Sequence, residues 1–310
     1  MVLRSTSLAA LVLLAACVAP GDDAPSARPA PLASEAVLAA AEQAPLQRGN
    51  LEWNRPFEPF TVIGNIHYVG MDGIGAYLIT TPDGHILLDG GFAQSAPAII
   101  ANIERLGFDI ADVRYLLNSH AHHDHAAGLA RLQRASGAQM IASAPDWPAL
   151  EAGRFPFGPS EAVRFPPVRV DRVIADGETV ALGGVALTAH ITPGHTPGCT
   201  SWSMDVAGAD GARHRAFFHC SATVAGQSLI PPAYPTIVAD FQSTFARVRE
   251  IDADVLLTNH PGFMDMHARR ARQIAGDADA FVDPEALDAF NDRLERAFHA
   301  ELARQSATQR

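Results

Sequence analysis

Asn118-Ser119-His120-Ala121-His122-His123-Asp124-His125 packs four metal-ligand side chains, His120, His122, Asp124 and His125, directly behind the apolar run Tyr115 to Leu117. The run reads as the end of a buried strand, and the residues after Ala126 as a helix. At a strand end, residues two apart project to the same side, so His120 and His122 can share one ion. Asp124 and His125 lie past the turn, where the chain changes direction, and can address a second ion nearby. Imidazole and carboxylate together suit zinc. The competing reading, a solvated histidine tract, is disfavoured by the strand-to-helix position and by matching histidines elsewhere. His123 has the opposite parity and is expected to support the ligands from behind or to face solvent.

A third ligand for the first ion must come from another loop. Thr192-Pro193-Gly194-His195-Thr196-Pro197-Gly198 offers His195 in a tight turn after the predicted strand Val185 to Ile191, whose own His190 reads as a core histidine. Asn259-His260-Pro261-Gly262 follows the buried run Val255 to Leu257 and supplies His260 for the second ion. The residues alone thus group into His120, His122 and His195 for one ion, and Asp124, His125 and His260 for the other.

The rest of the chain sets bounds. Its 310 residues, 48% hydrophobic and 18% charged, suffice for one sizeable α/β domain. A formal charge of −11, with no lysine and the arginines scattered, argues against a nucleic-acid partner, which needs a basic patch to displace counterions. Three cysteines without a CxxC pair exclude a zinc ribbon. Arg4 and the apolar run Leu8 to Ala16 look like an export signal, the run being too short to span a bilayer. The run ends in Leu14-Ala15-Ala16-Cys17, which resembles a lipobox, so residues 1–16 are expected as a lipoprotein signal peptide and Cys17 as a lipidated mature N-terminus. Residues 17–50 read as a Pro/Ala-rich spacer with a short helix at Glu35 to Gln43, and 51–310 as the catalytic domain. The expected location is the periplasm, with the lipid as the membrane contact.

Strands are predicted at Val62 to Val69, Ala76 to Thr80 and His85 to Leu88 as an antiparallel meander, then helix Ser95 to Leu106, strand Arg114 to Leu117 and helix Ala126 to Ala135. A second half repeats the order, with strands Thr179 to Leu182, Val185 to Ile191, Cys199 to Val206 and Arg215 to Val224, helix Asp240 to Ile251, strand Val255 to Thr258 and a helix from Pro284. Two such halves imply an α/β fold in which two mixed sheets pack face to face with helices on their outer faces, an αββα sandwich.

HAHHDH, TPGHTPGCTSW and NHPGF, in this order and spacing, resemble the metallo-β-lactamase superfamily, and most of all its subclass B3, over roughly Leu51 to Arg272. Supporting pieces are Gly64 to Gly70, Tyr77 to Gly84 with Leu87-Leu88-Asp89, and Val170 to Val173. The resemblance implies two Zn2+ per chain on the same two triplets. It further implies hydrolysis of the β-lactam amide of penicillins, cephalosporins and carbapenems by a metal-bridging hydroxide oriented by Asp124, giving antibiotic resistance. Glyoxalase-II-like thioesterases carry a bridging aspartate near Phe217 to Thr223, and this sequence has none. Ser221 stands where subclass B3 has a serine, and Ser221 and Thr223 are implied to meet the substrate carboxylate.

Cys220, one residue away, is a rival ligand. A hairpin about Ala209-Asp210 that pairs Asp205 with His214 would instead also pair Cys199 with Cys220, allowing a disulfide. The loop Phe155 to Pro167 is expected to wall the substrate groove. A monomer acting on a small β-lactam is expected, with lactone, thioester or other ester hydrolysis as the enzymatic alternative and a metal-binding lipoprotein as the non-enzymatic one.

Overall fold

A computed structural model describes residues 30–308; the signal-peptide and Cys17 readings lie outside the described residues. Helix α1 (Glu35–Gln43), capped by Ser34, coincides with its predicted span, but it is no free spacer. Leu38 is buried in the main body, and Arg131 reaches back to Glu35 at 2.6 Å and to Glu42. A short α2 (Arg48–Leu51) then leads into the sheet.

Strands β1 (Phe60–Ile63), β2 (Ile66–Tyr68), β3 (Tyr77–Thr81) and β4 (Gly84–Leu88) form the expected antiparallel meander. The single strand expected over Val62 to Val69 is in fact the β1–β2 hairpin. Gly64 turns the chain at φ 51, a left-handed conformation open to glycine, and an added Cβ would sit 2.5 Å from the Ala207 carbonyl oxygen. Next come α3 (Ala96–Arg105), β5 (Val113–Leu117), α4 (His123–Ala126), α5 (Leu129–Ser136), β6 (Gln139–Ser143), α6 (Trp147–Ala152) and β7 (Arg172–Ile174). Strands β4 to β7 run parallel, completing a seven-stranded sheet in chain order among the described residues.

The second sheet holds β8 (Thr179–Leu182), β9 (Val185–Ile191), β10 (Thr200–Ala207), β11 (Arg213–His219) and, after α7 (Ile237–Val248), β12 (Val255–Thr258), in the order β12-β11-β10-β9-β8. Helices α8 (Met266–Ile274) and α9 (Ala286–Thr308) close the chain. Five of these elements, α2, β6, α6, β7 and α8, escape sequence reading. Strand β6 is short and ends in serine, and α8 buries only Met266. The helix expected at Ala126 to Ala135 is broken at Ala127-Gly128 into α4 and α5.

Parity decides where each apolar residue goes, because neighbours along a strand point to opposite faces. Ile79, Ile86, Leu88 and Leu117 meet Leu187, Trp202, Phe218 and Leu257 between the sheets. Their neighbours Leu78, Leu87 and Leu116 pack outward on Ile99, Ile103 and Leu132 of α3 and α5. Phe217 and Leu256 pack outward on Phe241, Phe245 and Phe298 of α7 and α9. Truncating one such buried phenylalanine to alanine costs about 3–5 kcal/mol. The αββα sandwich expected from the sequence is the observed architecture.

Two corrections concern the β10–β11 hairpin. Asp205 pairs with Arg215 and Val206 with His214, one residue away from the expected register, because the turn Gly208 to Ala212 has an odd number of residues. Strand β11 also stops at His219 rather than Val224. Cys199 and Cys220 therefore lie just beyond the paired strands, where their Cα atoms are 5.9 Å apart and their sulfurs are bonded.

Candidate metal centre

The C-terminal ends of β5, β9 and β12 open onto one rim, and each delivers part of the site. Past β5 the chain enters the tight turn Ser119 to His122, and His122 is the N-cap of α4. This turn is pinned by Asp89, at the end of β4. Its carboxylate accepts the Ser119 N–H at 2.6 Å and the Ser119 hydroxyl at 2.8 Å. Asp89 holds a left-handed backbone (φ 64), a conformation costing a non-glycine residue about 1–2 kcal/mol. Those two hydrogen bonds, together with His125 Nδ1 at 3.6 Å, offset the cost.

Two triplets of donor atoms result, His120 with His122 and His195, and Asp124 with His125 and His260, each with its donor atoms within 4.8 Å of one another. They are the groups expected from the sequence. His122 Nδ1 lies 3.0 Å from His195 Nε2, and His125 Nε2 lies 3.3 Å from His260 Nε2. The far nitrogens are anchored: His195 Nδ1 to the Thr223 carbonyl at 2.7 Å, and His260 Nδ1 to the Gly73 carbonyl at 3.1 Å. Such anchoring fixes the tautomer and aims the other nitrogen at a metal. His120 Nε2 is buried with no protein partner.

Charge follows the same logic. Burial holds His120 and His122 well below the ordinary imidazole range and brings His195 and His260 down to about 4, so all four are neutral donors at pH 7. Burial opposes charge on Asp124 too, but contact with His125 outweighs it and keeps the carboxyl well below its usual range. The same contact, with Asp89 behind it, raises His125 despite its burial. Imidazole nitrogens crowded to 3.0 and 3.3 Å, beside one ionised carboxylate, form a donor set that fits divalent zinc. A third grouping, His120 with Cys199 and Cys220, offers no thiolate because its sulfurs form the disulfide.

A cleft of about 670 Å³ opens over the triplets, lined by Trp53, Asp124, Thr223, Gln227 and Phe263 among others. Over residues 70–208 the chain matches the sequence profile described as the metallo-beta-lactamase superfamily. It is 43% identical to a subclass B3 metallo-beta-lactamase of Bradyrhizobium japonicum, covering 84% of this chain and 98% of that one with a TM-score of 0.80. This chain belongs to the metallo-β-lactamase superfamily. Among curated members, a hydroxyacylglutathione hydrolase of Anaeromyxobacter dehalogenans is 38% identical over 27% of this chain and 26% of its own length. An N-acyl homoserine lactonase of Rhizobium johnstonii is 32% identical over 23% of this chain and 37% of its own. The chain thus spans well under half the length of these two relatives.

Within this superfamily fold, the other expected site residues fall as follows. Ser221 and Thr223 lie on an irregular segment past β11 rather than on a strand, with their hydroxyl oxygens 3.2 Å apart, and Thr223 lines the cleft. Pro159 and Ser160 of the expected wall loop reach the cleft, whereas Phe155 is buried beneath, edge-on to His122. His123 stands against Phe92 and Asn50, outside both triplets. His190 bonds Ser203 at 2.8 Å on β10, away from the ligands.

Sequence reading missed the N-terminal strap. The Gly73 N–H donates to the Trp53 carbonyl and the Asp72 N–H to that of Arg55, while the Trp53 ring stands edge-on to His260 at 4.8 Å. Residues preceding β1 therefore brace the carbonyl that orients His260. No local pattern marks them, because their partners come from distant parts of the chain.

Proposed function

We propose that this chain opens β-lactam rings using two zinc ions held by the two triplets. The observation that carries the reading is its match to a subclass B3 enzyme over 98% of that chain, with Ser221 and no carboxylate in the segment Cys220 to Val224 beside the site. Bound zinc supplies an acidified water and a positive charge opposite the developing oxyanion.

The protein's own groups divide the remaining work. Asp124, held ionised by His125, accepts a hydrogen bond from the attacking water and orients it. The Ser221 and Thr223 hydroxyls donate to the substrate carboxylate. Trp53 and Phe263 give the cleft apolar walls, and its volume of about 670 Å³ suits a drug-sized bicyclic substrate. Water adds to the carbonyl carbon, the C–N bond breaks, and the ring nitrogen leaves with a proton.

The test is ring-opening absorbance of a carbapenem and a penicillin with zinc-loaded protein, with and without a chelator. Chelator-sensitive loss of both substrates supports the reading. The partial matches to a hydroxyacylglutathione hydrolase and a lactonase favour a second one, ester-type hydrolysis on the same metals. An N-acyl homoserine lactone and a glutathione thioester run in parallel discriminate it, since turnover of either with intact β-lactams reassigns the substrate. Export with lipidation at Cys17 is part of the proposal, supported by the Cys199–Cys220 disulfide, a bond that persists in oxidising compartments. Intact mass of membrane-fraction protein checks it.

A further inference from the structure

Asp146 is 1% exposed and lies just past β6, an element that contributes no metal ligand. Its Oδ2 accepts the backbone N–H of Ala121 at 2.8 Å and the Thr196 hydroxyl at 3.0 Å, and its Oδ1 accepts the Gly198 N–H at 3.0 Å. Ala121 sits between His120 and His122, and Thr196 follows His195. One carboxylate therefore ties the two loops that carry the first triplet, whose histidines His122 and His195 are 73 residues apart in sequence.

The surroundings are built for it. A Cβ on Gly198 would lie 2.5 Å from the Asp146 carboxyl and 2.5 Å from Ser143 Oγ, so only glycine lets the loop approach. Ser143 Oγ donates to the Gly198 carbonyl at 2.6 Å, a second tie from the same strand end. The second triplet has supports of its own, Asp89 at 3.6 Å from His125 Nδ1 and the Gly73 carbonyl at His260, while Asp89 also pins Ser119 at the head of the turn that both triplets share.

We propose that Asp146 is a positioning residue that sets the metal affinity of the His120, His122 and His195 site and leaves the other site alone. A carboxylate is required because all three groups facing it are donors. The isosteric side chain of Asp146→Asn would have one acceptor oxygen, and its NH2 would face an N–H of one loop, donor against donor. Loss of that tie leaves the three imidazoles to be ordered by the metal itself. The inference rests on the reading of the triplets as metal sites.

The test titrates metal-free protein with Zn2+ against a chromophoric chelator, and with Co2+ by its visible absorption, in two backgrounds. His260→Ala leaves the first triplet as the complete site, and His195→Ala leaves the second. Asp146→Asn should weaken zinc in the His260→Ala background by about 10–100-fold and change the Co2+ spectrum there, with binding in the His195→Ala background unchanged. Excess zinc should restore the occupancy of Asp146→Asn in the otherwise wild-type chain. Equal weakening in both backgrounds, or no weakening in either, overturns the proposal. If Asp146→Asn does not fold, Thr196→Val removes one donor from the same carboxylate and must show a smaller shift confined to the first site. Failure of the metal reading would show separately, as no zinc uptake by the wild-type chain, and would overturn both.

Discussion

Replacing Cys199 and Cys220 together by alanine removes a bridge that closes a segment with a sequence separation of 21. Opening a loop of that length returns about 11 cal/mol/K of chain entropy to the unfolded state, or about 3 kcal/mol at 25 °C. In a body of this size that corresponds to a fall in Tm of about 6–12 °C. Thermal and guanidinium unfolding of the zinc-loaded protein measures it. Reduced wild type, with both thiols in place, separates the loop effect from the small cavity that two alanines leave. The bridge also joins the turn after His195 to the segment bearing Ser221 and Thr223, so KM for a carboxylate-bearing substrate should rise while zinc content stays constant. An unchanged unfolding midpoint would refute the entropic argument, and loss of one zinc would show that the sulfurs are ligands rather than a staple.

His122→Ala or Asp124→Ala should lower turnover by at least about a hundredfold, because each removes a proposed metal ligand, while far-UV circular dichroism stays that of wild type. Gly198→Ala should destabilise by about 1–3 kcal/mol in urea and loosen the first metal site, since its Cβ would meet the Asp146 carboxyl at 2.5 Å. The remaining prediction concerns acid. Burial lowers His219, packed against Phe217 and Phe290, from 6.5 to about 3. Below pH 6.5 the unfolded chain takes up a proton that the native state refuses, so stability is full above that value and falls as pH drops toward 3. At pH 5 the loss is about 2 kcal/mol. His219→Phe should reduce the difference in unfolding free energy between pH 7 and pH 5 by that amount, and equal acid sensitivity in both proteins would end the argument.

Local chemistry was legible in the sequence. The six candidate donor residues and their gathering into two triplets follow from residue type, strand parity and position after apolar runs, all of which act within one turn of chain. Helix α1 and strand β12 fell at their predicted bounds because Ser34 caps the first and an unbroken apolar run makes the second. The αββα layering likewise follows from period-two burial on both faces of each sheet.

Tertiary structure decided the rest, because it depends on groups far apart in sequence. Only the folded chain brings Asp146 between Ala121 and Gly198, or Trp53 and Gly73 behind His260. The hairpin register turned on one residue in the Gly208 to Ala212 turn, a difference smaller than alternation of strand residues can resolve. Strand β6 is recruited by its neighbours in the parallel sheet rather than by its own propensity. What a ligand is made of is a property of the sequence; how firmly it is held, and what stands over it, belongs to contacts that only folding creates.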